Sequence, residues 1–143
     1  MPFQGQTFNL TGTVTPTVVH DNADPAPDNI IRRSLGWHIH VGLNVGGTGL
    51  AMLAGHHWHI DAMLESIGPG FEGNVGSVVL PIPTPSTTGS FAGTITPPLP
   101  NSVPGLVAGV YKLVIVITLH DAVGTPLGVV GFEEFPTLLQ FYD

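Results

Sequence analysis

The sequence predicts an all-β chain, an antiparallel β-sandwich of about seven short strands built as one domain over residues 1–143, and three observations predict it. Glycine (19) and proline (14) punctuate the chain every few residues, so helix templates fail almost everywhere. Val, Ile and Thr, stiff at χ1 and suited to a pleated surface, dominate the segments between those breaks. Several of the segments alternate apolar and polar residues with a period of two. At 143 residues the chain is long enough to bury a core without disulfides or metals to staple it.

Residues 7–19 read as a first strand in two pieces, with Pro16 at an edge position or a break, because proline cannot donate to a ladder. A polar loop with Pro25 and Pro27 follows over 20–29. Residues 35–44 put Trp37, Ile39, Val41 and Leu43 on one face and His38, His40, Gly42 and Asn44 on the other. Glycines 46, 47 and 49 break that pattern, and Leu50, Met52 and Leu53 make an apolar link. Residues 57–67 repeat the alternation: Trp58, Ile60, Ala62 and Leu64 share one face, while His57, His59, Asp61, Met63 and Glu65 share the other. Both tryptophans are expected in the core.

Gly68-Pro69-Gly70 marks a turn. A weaker strand over 74–80 ends in the prolines of 81–85, and a short one over 90–96 is stopped by Pro97 and Pro98. Residues 110–120 form the strongest strand, with Tyr111, Leu113, Ile115, Ile117 and Leu119 facing one way and Lys112, Val114, Val116, Thr118 and His120 the other. Both faces are partly apolar, so another surface is expected to cover Val114 and Val116. The tail, 127–142, adds one or two strands around Gly131 and Pro136.

Over residues 91–124 a strand with Phe91 and Ile95 leads into prolines, then into Gly109-Val110-Tyr111-Lys112-Leu113-Val114-Ile115-Val116, then into a turn at His120-Asp121-Ala122-Val123-Gly124. This order resembles the second half of immunoglobulin-like or fibronectin-like bacterial domains. Tyr111 is similar to the tyrosine corner of such folds, where the phenol hydroxyl bonds back to the backbone. The resemblance implies an immunoglobulin-like sandwich and no particular activity.

Composition narrows the function classes. Ten carboxylates stand against Arg32, Arg33 and Lys112, giving a formal charge of -7, so there is no basic surface for a phosphate backbone and nucleic acid is not expected as a partner. Charged residues make up 9%, against roughly 25% in ordinary soluble domains, so much of the surface is neutral. The absence of cysteine removes disulfides, thiolate nucleophiles and Cys-type zinc sites. The first five residues lack the basic and apolar regions of a signal peptide, and the apolar run 113–119 is too short for a membrane helix. A soluble chain without a transmembrane segment is expected. No Gly-x-Ser-x-Gly elbow, His-Glu-x-x-His helix, phosphate-binding loop or dinucleotide fingerprint is present.

The chemically specific feature is a pair of His-x-His strands. Residues two apart on a strand point the same way, so His38 and His40 form one pair, and His57 and His59 another, with Asp61 next in line. Neutral imidazoles suit zinc, copper or nickel, and a carboxylate can complete the shell or orient an imidazole. If the two strands form a hairpin the pairs can share one ion; in an immunoglobulin-like order they lie in opposite sheets and face opposite sides. The same residues also serve as ordinary surface positions in a chain poor in Lys and Glu.

Elsewhere, His20, Asp21, Asp24 and Asp28 offer oxygen ligands for calcium but lack the spacing of an EF-hand loop. Glu133 and Glu134 read as a solvated turn.

Two functional readings follow. In the first, the chain is a non-enzymatic, self-associating structural or binding module, a homo-oligomer whose interface includes Val114 and Val116. In the second, His38, His40, His57 and His59 with Asp61 hold a transition ion, and three imidazoles with one open position on zinc support hydrolytic or hydration chemistry.

Overall fold

A computed structural model describes residues 2–5, 10–20 and 29–143. Ten strands run in chain order: β1 (Pro2–Gly5), β2 (Leu10–His20), β3 (Ile30–Arg32), β4 (Trp37–Gly46), β5 (His57–Ser66), β6 (Gly73–Pro81), β7 (Thr88–Ile95), β8 (Gly109–His120), β9 (Pro126–Glu134) and β10 (Leu139–Tyr142). Short 3-10 turns occupy Thr48–Leu53 and Pro100–Ser102. Among the described residues no helix is long and apolar enough to cross a membrane. The loop carrying Asp21, Asp24 and Asp28 lies outside the described residues.

The strands form two sheets. Sheet A has the order β1-β2-β4-β7, and sheet B the order β3-β10-β8-β5-β6, with β9 also paired to β8. One edge of β8 carries β5 along its length; the other carries β10 at Gly109 to Tyr111 and β9 from Val114 onward. Sheet B curls into a half-barrel. Its margins approach those of sheet A where β6 meets β7 and where β9 meets β1.

Among the described residues the strand pairings are antiparallel except one. β3 runs parallel to β10, in register Ile30 to Gln140 and Arg32 to Tyr142, so the expected wholly antiparallel sandwich is corrected to a mixed one. The β3 segment is three residues long, too short to show a period, and its partner is more than a hundred residues away. It is held by Ile31, which is fully buried, and by backbone bonds from Gln140 N to Asn29 O (2.8 Å) and from Arg33 N to Tyr142 O (2.7 Å).

The alternation read from the sequence directs the packing. On β4, Trp37, Ile39, Val41, Leu43 and Val45 are buried; on β5, Trp58, Ile60, Ala62 and Leu64 are; on β8, the odd residues from Tyr111 to Leu119 are. Three aromatics clasp the sheets at one end, with Trp37 edge-on to Phe141 (5.5 Å between centroids) and Tyr111 edge-on to Phe141 (5.4 Å). Trp58 meets Phe91 of β7 in the same manner (5.9 Å). Such contacts add about 0.5–1.5 kcal/mol each beyond the area they bury. The Tyr111 hydroxyl donates to Val107 O at 2.9 Å, fixing the entry to β8.

The link between β4 and β5 crosses from sheet A to sheet B. Its 3-10 turn buries Leu50 and Leu53 and leaves Met52 exposed. Gly55 ends it at φ +88, a conformation costly for any side chain, and donates to Ile82 O (2.8 Å), while Ile82 N donates back to His56 O (2.9 Å). This clamp ties the link to the segment between β6 and β7. Pro16 sits in β2 opposite Val41 and past the stretch Leu10 to Thr13 that β1 pairs, so among the described residues β1 does not reach the strand's other side at the proline.

Where β6 meets β7 the backbones come close. A Cβ built on Gly76 would lie 2.5 Å from Cγ2 of Ile95, a buried β-branched side chain with no room to retreat. Gly76→Ala is expected to destabilise the fold by about 1–3 kcal/mol in urea unfolding. Tyr111→Phe, which removes only the hydroxyl, is expected to cost about 1 kcal/mol by the same measurement.

Candidate functional site

The four histidines of the two His-x-His strands do not meet. β4 lies in sheet A and β5 in sheet B, and the inward tryptophan stripes force both histidine rows outward on opposite sides. His38, His40, His57, His59 and Asp61 therefore do not form one centre, which corrects the shared-ion arrangement. Among the described residues, no group of three or more His, Asp or Glu side chains is arranged to hold a metal ion.

On sheet A, His40 is exposed, with Nδ1 2.9 Å from Oγ1 of Thr94 across the β4–β7 pair. The His38 and His40 rings stand edge-to-face with centroids 6.3 Å apart. On sheet B, Asp61 accepts from the Ser77 hydroxyl and from Nδ2 of Asn74 (3.1 Å). Those bonds tie the carboxylate to β6.

The outer face of sheet B gathers a group the sequence did not single out. The β5–β8 register sets His57 opposite His120 and His59 opposite Thr118, and the His59 and His120 rings stack 3.5 Å apart at 13°. Nδ1 of His120 lies 3.1 Å from Gly124 O; a carbonyl only accepts, so the neutral ring carries its proton on Nδ1. Its Nε2 then faces the Thr118 hydroxyl at 3.1 Å. Asp121 shapes the adjoining turn by accepting from Thr125 N (2.8 Å) and Val123 N (3.0 Å), and the Thr125 N–H holds its carboxyl below the ordinary range. His120 shares the parity of Val114 and Val116, which already places it on this face from the sequence. Only the strand register puts it beside His57 and His59.

Below the histidines the same face turns apolar. Met63 pairs with Val114, and Val116 lies between Asp61 on β5 and Phe132 on β9. Val114 and Val116 are half-buried, while Phe132 (44%) and Val79 (48%) are well exposed. The far end carries carboxylates: Glu65 opposite Lys112, Glu72 beside the start of β6, and Glu134, 3.5 Å from the Lys112 ammonium. Glu133 and Glu134 belong to β9 rather than to a turn; Glu134 is exposed and Glu133 half-buried on the other side.

Comparison with protein-family models, curated proteins and solved structures finds no match to this chain.

Burial pushes the His59 imidazole below its ordinary value of 6.5, reinforced by charge on His120 and His57 and opposed by Asp61. A folded pKa below the unfolded one means that the unfolded chain binds the proton more readily. The stability present above about pH 6.5 is then lost as pH falls toward the folded pKa. The melting temperature is expected to drop between about pH 7.5 and 5.5, and His59→Gln to remove part of that drop, followed by circular dichroism. Equal pH slopes in the two proteins would exclude His59 as the source.

Proposed function

We propose that this chain is a non-enzymatic β-sandwich module of immunoglobulin-like architecture that works by associating with copies of itself through the outer face of sheet B. The observation that carries the reading is the strip of Met63, Val114, Val116 and Phe132 on that face, apolar side chains left partly in water in the middle of a sheet. An apolar centre with a polar and charged rim is the make-up of a protein contact surface, and here histidines border one end and carboxylates the other. With only 9% charged residues, few side-chain charges have to be desolvated when copies meet at this face. Such a module needs no reacting group.

The architectural part of the reading rests on strand neighbours. β4 sits between β2 and β7 in one sheet, β5 pairs with β6 and β8 in the other, and β8 carries β9. Consecutive strands β4 and β5 change sheet, as do β6 and β7. These neighbours support the immunoglobulin-like reading, as does the bond from the Tyr111 hydroxyl to a carbonyl four residues upstream, which is similar to that of a tyrosine corner.

Sedimentation velocity at about 100 µM tests the reading. The wild type is expected to sediment as a multimer. Val116→Asp, which buries an unpaired charge in the contact, is expected to weaken association by at least about 100-fold with the circular dichroism spectrum unchanged. The double substitution His38→Ala, His40→Ala on the opposite sheet is expected to leave the sedimenting mass unchanged. A monomeric wild type would overturn the proposal.

A further inference from the structure

An open groove of about 440 Å³ crosses the lower end of sheet B. Its floor is Met63, Val114 and Val116; Gly73 contributes no side chain to its wall, and Glu65 and Glu72 line its side. The groove lies beside the place where the β5–β6 register shifts between Ala62 and Met63 and where Gly73 stands opposite Leu64. No lysine or arginine lines it. An apolar floor beside two carboxylates matches one kind of side chain: a long aliphatic stem ending in a cation, the stem lying on the valines and methionine and the head meeting the carboxylates.

The chain has three such side chains. Lys112 is engaged with Glu134 at 3.5 Å. Arg33 donates from Nε to Leu106 O (2.9 Å) and pairs with Asp143, tying the segment after β10 to the β3 turn. Arg32, the last residue of β3, is exposed and makes no ion pair among the described residues. A planar guanidinium can also bridge two carboxylates, which a point-like ammonium does less well.

We propose that copies of the chain join by seating Arg32 of one copy in the Met63, Val114 and Val116 groove of the next, with its guanidinium between Glu65 and Glu72. The proposal rests on the self-association reading and names its contact. Two chains of formal charge -7 repel one another at long range, so a stable contact has to set a cation of one against carboxylates of the other. The donor patch at the β3 margin and the acceptor groove over β5 and β8 are different surfaces, so each copy offers one of each.

Complementation by mixing is the test, read by sedimentation velocity with circular dichroism confirming that each variant folds. Arg32→Glu keeps an intact groove, and Val114→Asp keeps an intact arginine. Each alone is expected to associate at least about tenfold more weakly than wild type, and their equimolar mixture to recover a two-copy species. Glu65→Arg with Glu72→Arg is expected to lose self-association and to pair with Arg32→Glu. If Arg32→Glu associates like wild type while Val114→Asp does not, the arginine contact is overturned and self-association through the face survives. If wild type stays monomeric, both fall. If the mixture stays monomeric while both variants are folded, the copies meet by like surfaces and the proposal fails.

Discussion

The apolar stripes of β4 and β5 face one another across the gap between the sheets, and that opposition constrains the rest of the molecule. Each stripe begins with a tryptophan that is almost wholly buried, and each buried aliphatic residue behind it is worth about 1.5–3 kcal/mol of transfer free energy. A slip of one residue in either strand would drive a tryptophan and its row into water and bring histidines into the core. The register is therefore strongly fixed. The link through Leu50 and Leu53, turned at Gly55 and clamped to Ile82, sends the chain from one sheet to the other between the two stripes.

That same opposition decides where chemistry can occur. With the tryptophans inward on two different sheets, His38 and His40 face one side of the molecule while His57, His59 and Asp61 face the other. What gathers on sheet B is a different set, His57, His59 and His120, joined by β8 rather than by β4. The His59 imidazole, partly buried and stacked on His120, is pushed below its ordinary value, by burial first and by the neighbouring His120 second.

Charge is scarce in this chain, and its placement is therefore informative. Two of the three side-chain cations serve within the fold: Arg33 ties Asp143 and Leu106 to the β3 turn, and Lys112 meets Glu134 across the β8–β9 pair. The carboxylates Glu65 and Glu72 sit at the edge of an apolar groove where burial by a partner would make their pairing matter far more than it does in water. A groove of this kind offers little to an anionic surface and much to an arginine.

Much of the fold was legible in the sequence, because period-two alternation is a local signal and each side chain's facing follows from its parity. The strands around Trp37, Trp58 and Tyr111, the buried faces of all three, and the turn at Gly68-Pro69-Gly70 needed nothing beyond neighbouring residues. So did the outward position of every histidine later found on sheet B. Which strands adjoin was not legible, since pairing is set by packing between residues far apart in the chain. Tertiary structure alone separated the His38–His40 pair from the His57–His59 pair, brought His120 beside the latter, and laid Ile30–Arg32 parallel to β10. It also set Glu65 of β5, Glu72 and the valines of β8 around one groove, beside a register shift that no local pattern encodes. The sequence by itself determined which way its side chains face; the closing of two sheets over one core decided which of them meet.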